Sequence, residues 1–239
     1  MKRPMILKFI CIITLFIANT SVFAQLKKGV YLTKESNIHH EIKVDENYLV
    51  YSIYEKAPAK FIKTIGGFYT VENNTLQIKL EFNSDYQKDA LRTLTIPIQF
   101  KDDDFVLDYT SKNTFQLQKV KSQDLDGQWL FASRGPDTGQ KRRDDTNARK
   151  TLKFLINSRF QWIAYNTETF KFSGTGGGRF ISKDGVYTEN IEYFSKDNNR
   201  VGASLEFNYE LKENDWHHTG LNSKGKPMYE IWGKRVSDF

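Results

Sequence analysis

The sequence predicts an all-β protein built from two tandem up-and-down antiparallel barrels of about eight short strands each. Three observations carry this. Short stretches of alternating apolar and polar residues run along the chain, separated by clusters of Asn, Asp, Gly and Lys, which is the pattern of half-buried antiparallel strands. No helical stripe of useful length appears between Gln25 and Val120. The pattern is also used twice. Lys60 to Tyr69, with Gly66-Gly67, is followed by a turn at Asn73-Asn74 and the run Leu76 to Phe82. Lys171 to Phe180, with Gly177-Gly178, is followed by Asp184-Gly185 and the run Tyr187 to Tyr193. The offset between the copies is a constant 111 residues, and it still holds where Leu94 to Lys101 falls on Leu205 to Lys212 and Asp104-Phe105 on Asp215-Trp216. Few positions are identical; the alternation, the paired glycines and the turns are what repeat.

In chain order, residues 1–24 read as a signal peptide. Lys2, Arg3 and Lys8 form a basic start, Phe9 to Ala18 is apolar apart from Thr14, and Val22-Phe23-Ala24 supplies small residues for cleavage near Ala24. The apolar run is short for a membrane span, so no stable span is expected after cleavage. Cys11, the single cysteine, lies inside this segment. The mature chain is therefore expected to be secreted or periplasmic, with no disulfide and no cysteine metal ligand. Loss of the signal takes Lys+Arg from 35 to 32 against 29 acidic residues, a formal charge of +3 in place of +6. Spread along the chain, that charge does not make a nucleic-acid-binding face.

The first β-unit, 25–121, opens at Gly29 to Leu32. It continues through His40 to Val44, Tyr48 to Tyr54, Phe61 to Val71, Leu76 to Phe82, Leu91 to Phe100, Phe105 to Tyr109 and Thr114 to Val120. A short polar joint at Lys121 to Asp124 leads into the second unit, 122–239, so the two units are expected to touch. The second opens at Leu125 to Phe131. Its later segments are Thr151 to Ile156, Phe160 to Tyr165, Phe170 to Ile181, Val186 to Phe194, Val201 to Leu211, Trp216 to Thr219 and Met228 to Val236. Between the opening segment and Thr151 lies a polar insert, Arg134 to Asp145, that the first unit lacks. It is either a solvated loop or a loop that borders a ligand mouth.

Side chains alternate across a strand, so Leu76, Ile78, Leu80 and Phe82 are expected to face the first core. The constant offset passes that face to Tyr187, Glu189, Ile191 and Tyr193. Likewise Leu205, Phe207, Tyr209 and Leu211 inherit it from Leu94, Ile96, Ile98 and Phe100, and Trp216 and His218 from Phe105 and Leu107. Phe160 and Trp162 inherit it from Leu49 and Tyr51. With a changed offset, Tyr229 and Ile231 correspond to Phe115 and Leu117, which leaves Trp232 beside Glu230 facing outward. The first interior is thus a filled apolar core. The second carries aromatic rings, a carboxylate and an imidazole, and is either a satisfied polar network or a ligand pocket. As a pocket it would be lined by Trp162, Tyr187, Glu189, Tyr193, Tyr209, His218 and Tyr229, with its mouth near Arg134 to Asp145.

Gly127-Gln128-Trp129 opening the second unit, its eight predicted strands and the closing Glu230-Ile231-Trp232-Gly233-Lys234-Arg235 resemble the calycin superfamily of lipocalins and fatty-acid-binding proteins. More narrowly, Gly177 to Tyr193 with that closing strand is similar to secreted lipocalin-like proteins of bacteria. The resemblance covers about half the chain, and the first unit has Tyr31 in place of the tryptophan. It implies that Trp129 closes the barrel floor and that Arg235 packs against it, so Gly127, Trp129 and Arg235 are structural. Gly177 and Gly178 are structural by a different argument, as the site of a bend or bulge.

Other chemistries find little support. Gly174 to Gly178 leads into a strand and is not followed by Lys-Ser or Lys-Thr, so it is no phosphate loop. His217 and His218 point to opposite faces of a strand, and His39 and His40 lie in the other unit, so no metal site is expected. There is no Gly-x-Ser-x-Gly elbow, and no cofactor is implied. Three functions stay open: a binding protein whose second barrel holds a small, partly apolar or aromatic ligand; an enzyme using Glu189 and His218 as acid and base, with no catalytic residue otherwise assigned; and a partner-docking protein with two filled barrels. Oligomeric state is not legible.

Overall fold

The computed structural model describes residues 25–109, 111–119, 122–222 and 224–235; the expected signal lies outside them. Sixteen strands form two closed antiparallel barrels, each with its strands in sequential order. The first contains β1 (Gly29–Glu35), β2 (Ile38–Asp45), β3 (Tyr48–Lys56), β4 (Ala59–Glu72), β5 (Thr75–Asn83), β6 (Thr93–Lys101), β7 (Asp104–Asp108) and β8 (Lys112–Leu117). The second contains β9 (Gly127–Arg134), β10 (Arg149–Ile156), β11 (Arg159–Asn166), β12 (Phe172–Lys183), β13 (Val186–Phe194), β14 (Ser204–Lys212), β15 (Asp215–Leu221) and β16 (Pro227–Lys234). One helical turn, α1 (Tyr86–Asp89), connects β5 to β6. Closure leaves no free sheet edge, and the up-and-down order is consistent with a lipocalin-like fold. Among the described residues no helix is long and apolar enough to cross a membrane.

The repeat is a repeat of register. Leu49 pairs with Gly67 and Phe160 with Gly178; Leu76 pairs with Ile96 and Tyr187 with Phe207; Phe100 pairs with Phe105 and Leu211 with Trp216. Each pair is shifted by the same 111 positions. The floors match as well. Tyr31 donates its hydroxyl to the carbonyl of Lys27 at 2.8 Å, and Trp129 donates its indole N–H to the carbonyl of Leu125 at 2.9 Å, four residues back in both cases.

Each glycine pair marks a β-bulge. Gly66 pairs with Phe82 but Gly67 with Leu80; Gly177 pairs with Tyr193 but Gly178 with Ile191. Glu81 and Glu192 are the extra residues. A Cβ on Gly67 would lie 2.0 Å from the carbonyl oxygen of Lys79, and one on Gly178 2.0 Å from that of Asn190, so only glycine fits. The bulge inverts facing for the rest of the strand. Leu76, Ile78 and Leu80 enter the first core as expected, whereas Phe82 turns outward, and Tyr193 does the same in the second barrel.

What lies outside is the other barrel. Val30, Tyr48, Val50 and Phe82 pack against Leu130, Leu152, Phe154, Ile156, Ile163 and Tyr165. Beside this apolar patch runs a buried polar seam. Glu41 and Lys43 pair with one another, and Arg159 reaches Glu41 at 2.6 Å through Nε and Glu192 at 2.9 Å through Nη2. The Gln161 amide is fully used: its oxygen accepts from Ser52 at 2.9 Å and Lys43 at 3.3 Å, and its nitrogen donates to Thr64 at 3.0 Å and Thr175 at 3.1 Å. Burying ions is tolerable only with partners on this scale. The seam therefore fixes how the barrels meet.

Candidate functional site

The two interiors differ in free volume. The first barrel is filled: the void among Ile42, Leu49, Ile65, Leu76, Ile78 and Phe105 is about 10 Å³, room for no more than one water. The second holds a cavity of about 320 Å³, lined among others by Thr151, Lys153, Trp162, Glu189, Ile191, Phe194, Phe207, His218, Met228, Glu230 and Trp232. One cause is a single exchange. Ile65 of the first wall is replaced by Gly176, where a Cβ would lie 2.7 Å from the Trp162 indole and 2.8 Å from the Phe194 ring. The glycine lets both rings lie along the wall, edge to face at 5.4 Å.

The polar groups come from four neighbouring positions of the repeat. Pairing Ile42 with Tyr51 and Lys153 with Trp162 makes Ile42 the counterpart of Lys153. Ile78 is likewise the counterpart of Glu189, Leu107 of His218 and Asn113 of Glu230. Lys153 donates to Glu189 Oε1 at 3.0 Å, and the Tyr187 hydroxyl donates to the same oxygen at 2.8 Å. The ammonium also sits 4.7 Å from the Trp216 centroid, 5.0 Å from Tyr187 and 5.2 Å from Trp232, inside the range of favourable cation–ring attraction.

His218 is buried, and neither of its ring nitrogens has a hydrogen-bond partner among the described residues; Glu230 Oε2 stands 3.6 Å from Nδ1. Burial, helped by the Lys153 charge, pushes its pKa down to about 4, so the imidazole is neutral at pH 7. Glu230 is the more open carboxylate, with a side chain 19% exposed against 7% for Glu189. Burial resists its ionisation, but His218, Lys153 and the Trp232 indole, which donates at 3.2 Å, outweigh that and hold it below the usual glutamate range.

No protein-family model matches the chain, and no curated protein matches it.

Of the seven residues expected to line a pocket, the cavity takes Trp162, Glu189 and His218. Tyr187 lies beneath it, fully buried, with its hydroxyl on Glu189. Tyr193 does not reach it: the bulge sends the ring to the barrel contact, 4.4 Å from Tyr54, and Phe194 takes the inner face. Tyr209 has the expected parity but sits toward the other end, where it donates to Asp124 at 2.6 Å. Tyr229 is on the outer face, its hydroxyl 2.8 Å from His217 Nδ1. The connection from β15 to β16 is longer than its counterpart, so the offset there becomes 117 and puts Met228, Glu230 and Trp232 inside. Trp232 and Glu230 are thus inward, not outward.

Two further expectations are corrected. Arg235 does not pack on Trp129. It forms a two-point ion pair with Glu81 of the first barrel at 2.8 and 2.9 Å, and the cation over Trp129 is Lys234, at 5.9 Å. The Arg134–Asp145 insert leaves from the open end but folds down the outside of the barrel. Arg142 grips Asp215 at 2.6 and 2.7 Å, and Asp145 meets Arg235 at 3.1 Å. The cavity's lining toward the opening includes Arg200 on the β13–β14 connection, Leu221 at the end of β15 and Asn222 just after it. Among the described residues no group of three or more His, Cys, Asp or Glu could hold a metal ion.

Lys153, Phe194, Met228, Glu230 and Trp232 are among the lining residues that sequence reasoning missed. Lys153 was within reach, since carrying the offset back from Tyr51 to Ile42 lands on it.

Proposed function

We propose that this is an exported, calycin-like binding protein whose second barrel is a chamber for a small, partly apolar or aromatic ligand, while the first serves as its filled structural partner. The observation that supports the reading is the contrast between two barrels of equal register, one filled and one holding about 320 Å³, within the size range of small-molecule sites. The Trp162, Phe194 and Phe207 walls favour flat or apolar groups. Catalysis by Glu189 and His218 is the weaker reading: Glu189 is tied to Lys153 and Tyr187, and an imidazole held near 4 is a weak base at pH 7. Docking through an outward Trp232 loses its motive, because that ring lies inside.

The test is tryptophan fluorescence and thermal melting against a panel of one- and two-ring aromatic compounds, on the wild type and on Leu205→Trp, which fills the chamber from β14. Binding by the wild type that the variant loses, with its melt retained, supports the chamber. A wild type that responds to no compound overturns it.

A further inference from the structure

Resting on that chamber reading, we infer that the ligand is an amine: a single-ring or similarly compact apolar body carrying an ammonium group, received by Glu230 and the imidazole of His218. Three observations carry this.

The first is the balance of charge. The cavity is lined by two carboxylates, Glu189 and Glu230, and inside it by one cation, Lys153, which is committed to Glu189 at 3.0 Å. Arg200 is the other cation of the lining, and it belongs to the connection at the opening. Deep in the chamber the surplus charge is negative. A ligand carboxylate would meet Glu230 with Lys153 already engaged, while an ammonium would complete the pairing.

The second is the balance of hydrogen-bonding groups. Glu189 Oε1 takes both Lys153 and Tyr187, which leaves Glu230 as the carboxylate with a single donor, the Trp232 indole. Beside it His218 is buried, and neither ring nitrogen has a hydrogen-bond partner among the described residues, Glu230 Oε2 standing 3.6 Å from Nδ1. A buried polar group without a partner costs free energy comparable to a lost hydrogen bond. An ammonium supplies three donors and no acceptor, which matches one carboxylate oxygen and one imidazole nitrogen set side by side.

The third is the surround. Phe207 stands 4.5 Å from the His218 ring and Trp232 beside Glu230, so an ammonium at this spot would have aromatic faces on its flanks. The first barrel holds Leu107 and Asn113 at the same two places, within a filled core. The receiving pair belongs to the chamber and is not required by the barrel.

Isothermal titration at pH 7 with three probes of one shape tests this: 4-phenylbutylamine, 4-phenylbutanol and 4-phenylbutyrate, on the wild type and on Glu230→Gln. The amine should bind more tightly than the alcohol, and the carboxylate most weakly. Glu230→Gln should weaken the amine by about tenfold or more, the scale of a charge-assisted hydrogen bond, and leave the alcohol within about twofold. A melting curve shows whether the variant is folded. Equal binding of all three, or preference for the carboxylate, overturns the amine while leaving the chamber in place; so does an amine affinity unchanged in folded Glu230→Gln. Failure of all three probes at millimolar concentration overturns the chamber itself, and the amine with it.

Discussion

Tyr54 and Tyr193 face each other across the barrel contact with ring centroids 4.4 Å apart, and the same contact recurs with the barrels exchanged, between Tyr165 and Phe82 at 4.9 Å. Tyr54 is the counterpart of Tyr165, and Phe82 of Tyr193. The bulge glutamates obey the same exchange: Glu81 accepts from Tyr165 at 2.9 Å and Glu192 from Tyr54 at 3.4 Å, each reaching into the other barrel. This is the self-complementary contact of a twofold dimer, made within one chain.

Its charges should make stability depend on acid. Burial resists ionisation of Glu192, but Arg159 and Lys56 prevail and lower its pKa to about 2; Glu41 is also held low, by Arg159 and Lys43 against its burial. A carboxylate depressed in the fold stabilises it above the unfolded value and loses that contribution as pH falls through the folded one. Urea midpoints should therefore fall between about pH 5 and pH 2. Arg159→Met removes the guanidinium that Glu41 and Glu192 share, leaving them with Lys43 and Lys56, and should cost up to about 3–5 kcal/mol at pH 7. A variant as stable as the wild type would mean the seam is not sealed from water.

Gly178→Ala places a methyl group against the Asn190 carbonyl, a backbone atom that cannot step aside. Overpacking of this kind costs about 1–3 kcal/mol, and Gly67→Ala should behave alike because the bulges are equivalent. Chemical denaturation of the pair checks both the cost and the equivalence.

Trp129→Ala removes a buried ring that stands 5.9 Å from Trp216 and donates to Leu125. The loss should be about 3–5 kcal/mol, seen as a large drop in melting temperature. Selective loss of ligand binding with an unchanged melt would instead make Trp129 part of the site.

Much of this architecture was legible because strand alternation and the 111-residue offset are local and periodic. Sixteen strands, two barrels, the filled first core and the placement of Glu189 and His218 all follow from them. What failed did so at irregularities. A bulge adds one residue and inverts the face beyond it, which is why Tyr193 left the cavity and Phe194 entered. The longer β15–β16 connection changed the offset, which exchanged Tyr229 for Glu230. The insert's destination depends on Arg142 finding Asp215, a contact between residues 73 positions apart that no local pattern announces.

His218 supplies a second acid dependence, of different origin. Its pKa falls from 6.5 unfolded to about 4 in the fold, chiefly through burial. The folded state thus takes its proton later than the unfolded chain, and stability is lost as pH falls from 6.5 to about 4. The full loss is about 3 kcal/mol. His218→Leu, which restores the residue type of Leu107, should remove it. The terms from His39 and His40 cancel between wild type and variant, and the difference reports His218 together with its coupling to Glu230. Parallel stability curves from pH 7.5 to 4 would show that water already reaches the imidazole.

Glu189→Gln tests what the inner ion pair does. The exchange keeps the side-chain shape but leaves the Lys153 ammonium, buried among Trp216, Tyr187 and Trp232, without its carboxylate. Breaking a buried pair by removing one partner typically costs about 3–5 kcal/mol, whereas replacing both with apolar groups is often neutral or stabilising. The first barrel already holds the apolar solution, Ile42 and Ile78, at the same two positions. Lys153→Ile/Glu189→Ile should therefore recover most of the stability that Glu189→Gln loses. Urea unfolding of the wild type, the single variant and the double variant measures this directly. Recovery of stability together with loss of ligand affinity would mean that the pair is kept for the chamber's chemistry. A double variant less stable than the single would show that the barrel's packing depends on the pair itself.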